Sequence, residues 1–177
     1  SPQVTEHTFA HIDIQLHQSV VSYVSVTGSN VSLVSQDVVV GCSIAKLQDA
    51  VLNHLQTLFI EQDRFDPLHH AATEQQLFDQ LDDGARSISE HGFFKFSVDY
   101  MQKVYSQSLD ESGWMQACAE CFAALPELDS HRVVVDANNA FHKDLIQSSA
   151  NLRFNEAMLA PRPKALLAIT KELVEHE

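Results

Sequence analysis

From Ile12 onwards apolar and polar positions alternate: Ile12, Ile14 and Leu16 are separated by Asp13, Gln15 and His17, the period-two pattern of a strand with one buried face. Such a strand turns its isoleucines and Leu16 to the core and leaves His7, His11, Asp13 and His17 on the solvent side. Val-rich runs over 20–26 and 31–40 follow, separated by Thr27-Gly28-Ser29-Asn30, a composition suited to a hairpin turn. The pattern predicts a three-strand antiparallel meander over 1–42. The first turn, near His17-Gln18-Ser19, has neither Gly nor Pro to mark it.

From Ser43 the period becomes helical. Ile44, Leu47, Val51, Leu55, Leu58 and Phe59 form one stripe, with Ser43 placed to cap it. A second helix is predicted from Asp66-Pro67, with Thr73 and Gln76 offering a capping box as an alternative start. Its buried stripe is Phe78, Leu81, Ala85 and Ile88, and His91-Gly92 ends it. Phe93, Phe94 and Phe96 form an aromatic run without a clear period, after which Val98, Met101, Val104 and Tyr105 return to helical spacing. A helix from near Ser112 carries Trp114, Cys118, Cys121, Phe122 and Leu125 on one face and stops before Pro126. Val133-Val134-Val135 fits a short strand or a helix running on through Phe141 and Leu145, and the helix is preferred. Two short helices, 152–159 and 164–174, flank Pro161-Arg162-Pro163. The expectation is an α+β fold in one domain over 1–177, β-rich over 1–42 and helical over 43–177.

Composition adds limits. Among 177 residues, 45% are apolar and 20% charged, which suits a chain that folds without a partner. The net charge of −13 disfavours nucleic acid and anionic membranes as partners. The uncharged stretch from Ile14 to Gln36 is too rich in Ser, Val and Tyr for a membrane span. Three cysteines, an odd number in a chain of this size, point to reduced thiols and a soluble, cytoplasmic protein. Five dispersed glycines rule out a phosphate loop built from consecutive residues.

Three groups carry candidate chemistry. Cys118-Ala119-Glu120-Cys121 has redox spacing, in which one thiol attacks and the other resolves. The motif resembles that of the alkylhydroperoxidase-like family, whose pattern sets a histidine shortly after the second cysteine. Phe122 to Leu125 contain none, and core packing beside Trp114 is the expected role. Asp66, His70 and Glu74 stand at i, i+4 and i+8 if a helix begins at Pro67, and a metal ion could be shared there. Residues 131–171 carry six basic and three acidic side chains, against five and eighteen in residues 1–130. Within that basic segment Arg153, Arg162 and Lys164 are candidates for an anion or an acidic partner, with Arg162 and Lys164 at a predicted helix start. No motif names a cofactor. The expected function is a non-catalytic binding or regulatory module for a protein or small ligand, with homo-oligomerisation compatible. The alternatives are a thiol-redox or metal-dependent enzyme and a structural or assembly subunit.

Overall fold

The alternating N-terminal segment folds as the predicted meander. In the computed structural model, which describes residues 6–128, 131–136 and 142–154, β1 (Glu6–Ile14), β2 (Ser19–Thr27) and β3 (Asn30–Val39) pair antiparallel in sequence order. Gly28 and Ser29 make the tight turn between β2 and β3, and Gly28 adopts the left-handed φ of 62° that such a turn needs. The β1–β2 turn manages without Gly or Pro because a helix holds it. The carbonyl oxygens of Gln15 and Leu16 accept from the N–H groups of Ile44 and Ala45 at 2.9 and 3.0 Å. These donors open α1 (Ile44–Asp63), where they have no partner inside the helix, and Ser43 Oγ caps the same turn by accepting from Lys46 N–H.

After α1 come α2 (Ala71–Asp79), α3 (Leu81–His91), β4 (Phe93–Tyr100), β5 (Lys103–Asp110), α4 (Glu111–Ala123), β6 (Arg132–Asp136) and α5 (Lys143–Arg153). The architecture is α+β, as expected. The preferred helix at Val133-Val134-Val135 is instead β6, which adds to β1 in parallel and completes a sheet of order β3-β2-β1-β6. A strand closed on both faces reads as a continuous apolar run, so its periodicity does not separate it from a helix.

The new neighbour changes the environment of β1. Ala10, Ile12 and Ile14 enter the main core with Val21, Val133 and the helical side chains Leu47, Leu55, Phe59 and Leu145. The other face is closed too: Phe9, Val24, Val26 and Val134 cluster there. His11 and Asp13, expected in solvent, are only 1% and 4% exposed. Leu16, expected in the core, lies in the turn beyond the strand and is exposed, as is His17; His7 is exposed as expected.

The helical region departs from its pattern in two places. No helix starts at Pro67, because Asp66 Oδ1 accepts from Leu68 N–H at 2.9 Å and forms a turn; α2 begins only at Ala71. Thr73 forms no capping box, since its hydroxyl donates to the carbonyls of Pro67 and His70. The chain breaks again at Gln80, so Leu77 rather than Phe78 joins Leu81, Ala85 and Ile88 in the core. Gly92 ends α3 with φ 90° as predicted. Residues 98–105 are not helical: β4 and β5 form a hairpin whose turn residues, Met101 and Gln102, take φ of 49° and 64°. Phe96 and Val98 point into the core at period two, and the Phe96 ring lies so close to α3 that a Cβ on Gly84 would stand 2.5 Å from it. Asp110 caps α4, and the predicted face from Trp114 to Leu125 is buried. Trp114 Nε1 donates to Ser149 Oγ at 2.9 Å, tying α4 to α5. Leu152 ends up in α5, while the helix predicted over 164–174 lies outside the described residues. Among the described residues no helix is long and apolar enough to cross a membrane.

Candidate interaction surface

Strand β3 resembles its neighbours in composition and differs from them in surroundings. It pairs with β2 on one side only, and among the described residues nothing bonds to its other edge. Its large apolar side chains are therefore in solvent: Leu33, Val34 and Val38 are 44%, 67% and 61% exposed, and Val40 just beyond the strand is 67% exposed. Opposite Leu33 and Val38 on β2 stand Val24 and Val20, both buried, and Val31 packs against the cluster of Phe9, Val24, Val26 and Val134. Val31, Leu33 and Val38 thus extend one apolar face outward to the open edge. A register shift opposite Tyr23 and Val24 leaves Val34 as the extra residue of a bulge.

The strand carries one charge. Burial, and then the Asp37 carboxylate, favour the protonated Tyr23 hydroxyl and raise its pKa above 10.0. Gln36 is also tied down, donating to Ser22 Oγ at 3.0 Å. Residues 30–39 contain no Lys, Arg or Pro, the usual devices that discourage edge pairing.

A second exposed strand in the same molecule is treated differently. The outer edge of β4 is met by two glutamine side chains from the α2–α3 segment, which imitate a neighbouring strand. Gln80 donates to Ser97 O at 2.8 Å and accepts from Ser97 N–H at 3.0 Å. Gln76 does the same with the carbonyl and N–H of Asp99, at 3.1 and 2.8 Å. The outer edge of β3 is not met in this way among the described residues, and apolar side chains stand exposed beside it.

The residues singled out from sequence fall elsewhere. Cys118 and Cys121 are buried free thiols, as is Cys42. Cys121 meets Cys42 at 3.3 Å between sulfurs, a contact that spacing along the chain does not reveal. That contact and burial push the Cys42 thiol up, whereas the same contact lowers Cys121. Burial pushes Cys118 up to about 12. Asp66, His70 and Glu74 do not share a helix face: Asp66 sits in the turn, His70 precedes α2 and stacks on Tyr100 at 4.5 Å, and only Glu74 is helical. Among the described residues no three His, Cys, Asp or Glu side chains are grouped to hold a metal ion. Arg153 is exposed at the end of α5, beside a cavity of about 320 Å³ lined by Phe122, Leu125, Glu127 and Phe154. Arg162 and Lys164 lie outside the described residues.

Sequence reasoning missed the buried polar group on β1. His11 Nε2 lies 3.2 Å from Asp136 Oδ2, and Gln15 donates to Asp13 at 3.0 Å. The signal was Asp136 directly after three valines, which has meaning only once β6 is known to be a strand beside β1. No protein-family model matches this chain, and no curated protein matches it significantly.

Proposed function

We propose that this protein is a non-catalytic binding module that recognises another protein chain by strand addition to β3. One observation carries the reading: a ten-residue edge strand presents exposed apolar side chains and, among the described residues, an outer edge without backbone partners, in a molecule that covers the outer edge of β4 with glutamine amides. Strand addition takes its affinity from main-chain hydrogen bonds and its specificity from alternate side chains, and β3 supplies both. The absence of cations on β3 and the net charge of −13 favour protein over nucleic acid as the partner.

The reading is tested by selecting peptides from a random library on the purified protein and following backbone hydrogen exchange with and without them. Selected peptides are expected to slow exchange along β3 and to bind at least about tenfold more weakly to Leu33→Lys or Val38→Lys. Peptides that protect another surface, or that ignore both substitutions, overturn it.

The 3.3 Å contact between Cys42 and Cys121 favours a second reading, a thiol-redox protein. Rapid modification of Cys121 in the folded protein at neutral pH would support it, because a redox thiol must be both ionised and reachable. Modification only on unfolding returns the three thiols to packing.

A further inference from the structure

We infer that Cys42 and Cys121 are an oxidation site, where a hydroperoxide converts the two thiols to a disulfide that fastens α4 to the link between β3 and α1. The inference rests on the same sulfur contact as the thiol-redox reading, but it requires a bond that forms and is reduced again rather than an enzyme that turns over. It does not involve the β3 edge.

Two separate observations bring these segments together. The Cys42 and Cys121 Sγ atoms are 3.3 Å apart although 79 positions separate them along the chain, and Cys121 Sγ also stands 4.0 Å from the Ser43 carbonyl oxygen. One residue before Cys42, the link passes so close to the end of α4 that a Cβ on Gly41 would lie 2.7 Å from the Ala124 Cβ. The link is held from its other side as well, because the Cys42 carbonyl accepts from Ser19 Oγ at 2.6 Å and Ser43 Oγ caps α1. A disulfide of about 2.05 Å therefore needs a closure of only about 1.3 Å between segments already in contact. Cys118 is the poorer partner for Cys121. Side chains three apart on a helix keep their Cβ atoms about 5–6 Å apart, wider than the roughly 3.5–4.5 Å that a disulfide spans.

Cys121 is 4% exposed, against 0% for Cys42 and 1% for Cys118, so it is the sulfur that a small oxidant meets first. Its thiolate attacks one peroxide oxygen, the O–O bond breaks, and a sulfenic acid forms while the departing oxygen takes up a proton. The Cys42 sulfur then attacks the Cys121 sulfur. The S–S bond forms as the S–O bond breaks, and the hydroxyl leaves with the Cys42 proton as water. With hydrogen peroxide as the oxidant, two thiols lose two electrons and two protons and one peroxide becomes two waters. The bond closes a loop over residues 42–121, which restricts the unfolded chain and so stabilises the folded one. A dithiol reductant reverses it by exchange.

The test is to treat the reduced full chain with hydrogen peroxide under native conditions, alkylate the remaining thiols after denaturation, and map the linked peptides by mass spectrometry. The expected result is a fall from three free thiols to one, with Cys42 bonded to Cys121 in the same molecule and Cys118 still reduced. The melting temperature should rise by at least about 5 °C and return with dithiothreitol. Cys118→Ala should oxidise as the wild type does, Cys42→Ala should stop at a Cys121 sulfenic acid that dimedone traps, and Cys121→Ala should form no disulfide. The wild-type map decides the matter if a variant fails to fold. Three thiols left intact, Cys118 found in the bond, or a bond only between molecules would each overturn the inference. Brief iodoacetamide labelling of the reduced, folded protein separates this inference from the thiol-redox reading. Rapid labelling of Cys121 without a disulfide under peroxide sinks the oxidation site and leaves the enzyme. A Cys42–Cys121 bond under peroxide without rapid labelling supports the oxidation site and sinks the enzyme, and neither reaction sinks both.

Discussion

Strands β1 and β3 lie two places apart in one sheet, and their surroundings are the reverse of what their sequences suggest. β1 alternates Ile with His and Asp and reads as half-solvated, yet His11 and Asp13 are as buried as Ile12. β3 is richer in valine and reads as interior, yet most of it is exposed. The difference is position. β1 has β2 on one edge and β6 on the other and apolar clusters on both faces, while among the described residues β3 has one neighbour and an open edge. Burial in a sheet is a property of the neighbours, and a strand's own composition reports it only when one face is consistently solvated.

The sharpest way to break this comparison is to truncate matched side chains on the two strands. Ile12→Ala should cost about 2–5 kcal/mol of folding stability through the cavity it leaves. Val38→Ala, in dilute monomer, should stay within about 0.5 kcal/mol. Guanidinium unfolding measures both, and similar costs would mean that β3 is not an open edge in solution.

The second face of β1 is probed through its polar pair. His11→Ala removes one partner of Asp136 Oδ2 and a buried ring and should cost about 1–3 kcal/mol. Gln36→Ala, which removes the bond to Ser22 from the exposed strand, should cost less than half as much. Equal losses in thermal or chemical unfolding would remove the distinction between an enclosed face and an open one.

The two edges can be compared in the same way. Gln80→Ala deletes two hydrogen bonds to the β4 backbone at Ser97 and should lower stability by about 1–2 kcal/mol. It should also make the Ser97 amide exchange faster in the folded protein, towards the rate of monomeric β3. An unchanged Ser97 rate would show that glutamine does not protect that edge.

The smallest effect concerns pH. The Tyr23 pKa is raised in the folded state by burial and by Asp37, so the folded protein holds that proton more tightly than the unfolded chain does. The contribution is full below the ordinary tyrosine value of about 10 and is lost as pH rises from there through the folded value. Stability measured between about pH 9 and 11.5 should fall more steeply for the wild type than for Tyr23→Phe. Parallel curves would mean that Tyr23 and Asp37 are not coupled across β2 and β3.

Local patterns were informative wherever one element decided its own surroundings. The Gly28 turn, the Ser43 cap, the Gly92 stop and the buried stripe from Trp114 to Leu125 were all legible, because each depends on residues within a few positions. The β4–β5 hairpin was not. Its turn uses Met101 and Gln102 in left-handed conformations that neither residue advertises, and Val98, Met101, Val104 and Tyr105 match helical spacing by coincidence. Of the candidate chemistry, the pairing of Cys121 with Cys42 needed the approach of α4 to the start of α1, and no spacing rule anticipates that contact.

The sequence by itself determined an α+β chain with an N-terminal meander, a net charge of −13, and helices whose apolar stripes and caps are written in adjacent turns. Periodicity and capping are short-range effects, and short-range information survives in a linear text. Only the tertiary structure decided that β6 returns to lie beside β1, that His11 and Asp136 therefore meet in the interior, and that β3 is left as the open edge. Each of those outcomes depends on which distant segments become neighbours. Strand order is set by the packing of the whole chain, and the residues of β3 carry no record of how many neighbours they meet.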